Sequence, residues 1–159
     1  MSLQESQEAA AHFTKEYADF KKTYPGLPTL EQLDGQLDIL EYAGREKVFP
    51  RNALRLVRWQ LMNGINSWMG YLHNFILPNP QSAASMEEYD HFTDAEKQEM
   101  IKILNWSMYR NREMNLLQLN EEDDKTAVFV TTVFKEWLGH KKVIERVLEK
   151  NMASWKGRL

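Results

Sequence analysis

Residues 124–155 constrain the fold most. Their early part, AVFVTTVF at 127–134, is rich in β-branched residues and on propensity alone favours a strand. Placed at 100° per residue, however, Thr126, Val130, Val133, Trp137, Ile144, Leu148, Met152 and Trp155 share one narrow arc. Gly139 falls on the opposite, solvent side, where it weakens a helix by about 1 kcal/mol against alanine without breaking it. A lone strand needs a partner, and no other segment supplies one. The spacing therefore predicts one unbroken helix over 124–155.

The rest of the chain reads the same way. Ser2 and Glu5 form a capping box, and the helix behind them buries a stripe of Leu3, Ala10, Phe13, Tyr17 and Phe20 before Pro25-Gly26 ends it. Thr29 and Gln32 cap a second helix with the seam Leu30, Leu33, Leu37 and Leu40, and Gly44 is its expected stop. Pro50 suits the first turn of a third helix reaching about Leu77, where Pro78 and Pro80 stop it. Its main face is Leu54, Val57, Leu61, Gly64, Trp68, Leu72 and Phe75. Residues 81–92 form a connection with one short helix capped by Ser85 and Glu88. Thr93 and Glu96 open another long helix to about Leu119, and Asp123 or Asp124 caps the last one. Helices of ~27 residues are about 40 Å long and span a domain of this size. The expected fold is all-α, an antiparallel bundle of four to five long helices with short loops, in a single domain over 1–159.

Charge is blocked along the chain. Residues 1–46 carry nine acids and four bases, 47–86 four bases and no acid, 87–124 eleven acids and four bases, and 125–159 three acids and eight bases. Acidic and basic helices are expected to neighbour and satisfy one another. Two basic strips, Lys47/Arg51/Arg55 and Lys135/Lys142/Arg146/Lys150, lack interleaved aromatics, which argues against nucleic acid as a partner. There is no cysteine, which excludes disulfides and thiolate chemistry and fits a reducing compartment. No apolar run approaches the roughly 18 residues of a membrane span, and the N-terminus lacks the pattern of a secretory signal. A cytoplasmic protein is expected, with no membrane partner.

One feature resists the apolar pattern. On the helix over 93–119, Ser107, Arg110 and Asn111 fall on the stripe of Met100, Ile103, Leu104, Met114 and Leu117. Beside the core face of the 50–77 helix runs a second stripe of Arg51, Arg55, Arg58, Met62, Ile65, Met69, His73 and Ile76. On the last helix His140 lies at the stripe's edge. Arginine taken out of water needs a carboxylate or a phosphate, which its fork holds bidentately. An internal carboxylate is the simpler partner, and Glu16, Asp38 and Glu41 are the candidates. The alternative is a small anionic ligand, bound or turned over in an inter-helix pocket lined by Arg58, His73, Arg110, Asn111 and His140.

Glu88 and His91 have the E-x-x-H spacing of di-iron bundles, but a second copy is missing, so His91 is expected at the surface and no metal or other cofactor is expected. His12 projects from the apolar stripe into solvent. Catalytic signatures such as G-x-S-x-G, a glycine-rich phosphate loop and H-E-x-x-H are absent, so no catalytic residue is assigned. Trp59, Trp106, Met108 and Tyr109 lie off the main faces of their helices, as contact residues do. The sequence thus points to a non-catalytic, self-associating interaction module, a homodimer in its simplest form. A nucleic-acid accessory role ranks third, after the ligand site.

Overall fold

The computed structural model describes residues 3–45 and 52–159. Among them are seven helices and no strand: α1 (Leu3–Thr23), α2 (Leu30–Leu37), α3 (Ile39–Arg45), α4 (Ala53–Ile76), α5 (Ala83–Asp90), α6 (Asp94–Leu119) and α7 (Asp123–Lys156). The protein is all-α. Four helices are long, at 21, 24, 26 and 34 residues, and three are short. The segment AVFVTTVF lies inside the 34-residue α7, so the helical period prevails over β-propensity there. Ser2, Lys47, Pro50 and Arg51 lie outside the described residues.

The contacts divide the chain into two compact units, Met1–Gly64 with Glu113–Phe134, and Ile65–Arg112 with Lys135–Leu159. In the first unit, Phe13 and Tyr17 of α1 are buried with centroids 5.9 Å apart, and the Tyr17 hydroxyl donates to the Pro28 carbonyl at 2.8 Å. Burial pushes that hydroxyl well above the ordinary tyrosine range. Leu3, placed on the same stripe by its spacing, is exposed. The Thr29–Gln32 box forms in both directions, at 3.1 and 2.8 Å.

The expected second helix breaks at Asp38, whose backbone is left-handed (φ 48°). Aspartate tolerates this region because its short side chain bonds locally. Here Asp34 does the bonding, its carboxylate accepting the Leu40 N–H at 2.9 Å. The break resets the phase, so Ile39 is buried in place of Leu40. Gly44 does not stop α3, which runs on to Arg45. A Cβ there would lie 2.6 Å from the Ser6 Oγ and 3.2 Å from the Ser6 carbonyl oxygen. Its glycine serves close approach between α1 and α3.

Asn52 begins α4 by accepting the Arg55 N–H at 3.0 Å, and Glu16 of α1 accepts the Ala53 N–H at 2.9 Å. Two donors at the helix start are thus satisfied by side chains. Leu54, Leu56, Val57, Leu61 and Met62 of α4 and Phe129, Val130 and Val133 of α7 complete the first unit's core.

The second unit buries Ile65, Met69, Leu72, Phe75, Phe92, Met100, Ile103, Trp137, Ile144 and Val147. Trp68 and Met152, assigned to apolar stripes by spacing, are exposed. Helix α5 is capped by Ser82 rather than Ser85, its Oγ accepting the Ser85 N–H at 3.3 Å. The Thr93–Glu96 box opens α6, with Thr93 N–H donating to Glu96 at 2.8 Å. Gly139 meets nothing in reach of an added Cβ, in keeping with its solvent-side position.

Candidate functional site

The arginines on the apolar faces have carboxylate partners within their own units. In the first unit, Glu121 precedes α7 and takes Arg58 bidentately, Nη2 to Oε1 at 2.9 Å and Nη1 to Oε2 at 3.2 Å. Arg58 Nη1 also reaches the Thr126 hydroxyl at 3.3 Å, and Arg55 Nε lies 2.9 Å from the same carboxylate. Asp123 is part of the group, accepting from Asn52 at 3.0 Å with Arg55 at 3.7 Å. Arg58 is only 3% exposed and Glu121 18%. Asp123 and Asp124 sit inside the first turn of α7, where negative charge is favoured, rather than capping it as the sequence suggested. Asp124 accepts the Tyr24 hydroxyl, and that bond pushes the Tyr24 hydroxyl up to about 12, with burial and the charges of Asp124 and Asp123 adding to it. None of the expected acids takes this role: Glu16 caps α4, and Glu41 pairs with Arg45 on its own helix.

The second unit holds Arg110, Asn111, His140 and His73. Glu136 accepts from Arg110 Nε at 3.0 Å and Nη2 at 2.8 Å, and from the Trp106 indole at 2.7 Å. Burial alone would raise the Glu136 carboxyl. The bonds from Arg110 and Trp106, with the charges of Arg110 and His140, outweigh it and hold the carboxyl below its ordinary range. His140 packs on the Trp106 ring at 4.3 Å. Burial lowers its imidazole, against a smaller upward pull from Glu136. Asn111 exchanges two bonds with Asn66, at 2.9 and 2.8 Å, and donates to the Ser107 carbonyl at 2.8 Å. His73 lies exposed on α4. The structure thus brings Arg110 and His140 to one carboxylate, gives Asn111 an amide partner, and gives Arg58 a carboxylate in the other unit.

Charged neighbours follow the blocked pattern of the sequence. Arg146 pairs with Glu99, and Lys150 with Glu96 at 2.7 Å. Lys150 and the Thr93 N–H together lower the Glu96 carboxyl to about 2.

A second polar cluster escapes reasoning from local spacing. Residues 87, 88 and 91 of α5 and its C-cap face residues 151, 154, 155 and 158 at the end of the chain. Glu88 accepts from Asn151 at 2.9 Å and from the Trp155 indole at 2.8 Å. Glu87 pairs with Arg158, and His91 meets Ser154. His91 is therefore half-buried and partnered, where the sequence placed it at the surface. The E-x-x-H residues serve two different partners, and among the described residues no three His, Asp or Glu cluster as metal ligands would. The available signal was the 3.6-residue repeat of Asn151, Ser154 and Trp155, which places these hydrogen-bonding groups on one face of α7, with Arg158 just beyond its end. No known protein family, curated protein or solved structure matches the chain.

Proposed function

We propose that this protein is an interaction module that self-associates through aromatic and methionine side chains on its helix surfaces. The observation that carries this reading is the exposure of Met108 (55%) and Tyr109 (63%) on α6, with Trp68 and Tyr71 in tilted ring contact, centroids 5.6 Å apart, on the surface of α4. Amphipathic rings and flexible thioethers are enriched at contact surfaces and are costly to leave in water. The simplest assembly is a homodimer, because one self-complementary face closes the symmetry. A cytoplasmic setting is proposed with it, on the cysteine-free sequence. Among the described residues no helix is long and apolar enough to cross a membrane. The three-residue connection between α6 and α7 supports an antiparallel course for those two helices, as proposed for the long helices generally.

Light scattering across a concentration series tests this. A dimer that becomes a monomer in a Met108→Lys/Tyr109→Lys variant supports the proposal. A parent chain that is monomeric throughout overturns it. The ligand reading is weaker, because Arg58 and Arg110 already grip Glu121 and Glu136. A thermal-shift panel of small anions tests that alternative, since a ligand bound only by the folded state raises its melting temperature.

A further inference from the structure

We propose that Ser154 and His91 form a nucleophile–base pair that cleaves small carboxylic esters. The bond pattern fixes the direction of proton flow. His91 Nδ1 lies 2.5 Å from the Glu87 carbonyl oxygen. A carbonyl only accepts, so Nδ1 carries the proton and, in the neutral ring, Nε2 presents a lone pair. Nε2 is the atom in contact with the Ser154 Oγ, so the hydroxyl is the donor. Nucleophile, base and an orienting acceptor thus follow in the order that hydroxyl activation needs. The third member is a backbone carbonyl one helical turn before the histidine. That carbonyl is available because the His91 N–H bonds instead to Glu88 and Tyr89.

Of the pair, His91 lines a cavity of about 390 Å³ together with Glu87, Asp90 and Arg158, and substrate would reach the neighbouring Ser154 Oγ from there. The lining has no aliphatic side chain, which disfavours long acyl chains. Its two carboxylates disfavour anionic substrates, and the Arg158 guanidinium, paired with Glu87 at rest, is the cation that would turn to a developing oxyanion. In the first step the Ser154 Oγ bonds to the acyl carbon while its proton passes to His91 Nε2. The bond to the alcohol oxygen then breaks, and the alcohol leaves with that proton. In the second step water gives a proton to Nε2 and attacks the acyl carbon. The acid departs and the Ser154 Oγ recovers the proton. Ester and water become acid and alcohol, with no change of oxidation state.

The full-length chain treated with a fluorophosphonate, which traps activated serines, tests the proposal. The expected result is one adduct by intact mass, mapped to Ser154, formed in the native protein and not in the urea-unfolded one. Ser154→Ala removes it. His91→Gln, checked for an unchanged melting curve, slows it about a hundredfold, the scale of a lost general base. Hydrolysis of p-nitrophenyl acetate should fall in the same two variants. A native parent without an adduct at Ser154 overturns the proposal. So does equal labelling with and without the imidazole, which would leave His91 as a helix cap alone.

Discussion

In the first unit Phe13, Leu33, Ile39, Leu54 and Val133 are sealed from water, and buried Arg58 and half-buried Arg55 gather on one carboxylate, Glu121. In the second the apolar core is accompanied by polar ties spread along α7 from Glu136 through Arg146 and Lys150 to Ser154, and on to Arg158 just past its end. Apolar burial is indifferent to pH and non-directional, whereas charge-assisted bonds depend on protonation and on placement. The two units should therefore fail under different insults.

The largest effect is expected from Val133→Asp. Val133 is fully buried, and an unpaired carboxylate there has no compensation, so the variant should show no cooperative melt by circular dichroism. A melt like the parent's would mean that this part of α7 is not core. Next come the two buried-face arginines. Arg58→Met leaves Glu121 18% exposed and short of one partner, at an expected cost of about 3 kcal/mol in urea denaturation. Arg110→Met leaves Glu136, which is 35% exposed, with the indole bond and water, at about 1 kcal/mol. Equal costs would erase the contrast between the units.

pH separates them further. The Glu96 carboxyl is lowered from 4.5 to about 2, so its contribution is present above pH 4.5 and lost as pH falls toward 2. Glu136 and His140, both lowered, act in the same direction. In the first unit the Tyr24 hydroxyl is raised from 10 to about 12, so its contribution is present below pH 10 and lost as pH rises through 12. Hydrogen exchange, corrected for intrinsic rates, should show protection lost first over 94–112 and 135–156 in acid, and over 13–24 and 123–132 in alkali. The reverse order would refute the assignment. Effects no larger than that of Arg110→Met belong to two glycines. Gly139→Ala should stabilise by about 1 kcal/mol, since nothing crowds the site. Gly44→Ala should destabilise by about 1 kcal/mol in thermal denaturation, because the Ser6 backbone stands in the way.

What the sequence disclosed was local. The Thr29 and Thr93 boxes reach only three residues and were legible, as was the unbroken period of α7. The break at Asp38 was not, because the Leu seam continues in register through it and the decisive bond comes from the Asp34 side chain. The puzzle of arginines on apolar faces was visible, but their partners lie 63 and 26 positions away among many carboxylates. The Ser154–His91 pair, also 63 positions apart, matches no contiguous motif for the same reason.

The first unit's discontinuity bears on the order of events during synthesis. Arg55 and Arg58 leave the ribosome long before Glu121, and Tyr24 precedes Asp124 by 100 positions. A nascent chain that ends with α6 holds two guanidinium groups on an apolar helix face with neither Glu121 nor Asp123 yet made. Closing so long a loop costs only slightly more than closing a shorter one, but it cannot begin until the later segment exists. Until then Leu54, Val57 and Leu61 lack the Phe129 and Val133 that complete their core, which makes the half-made chain the form most exposed to aggregation.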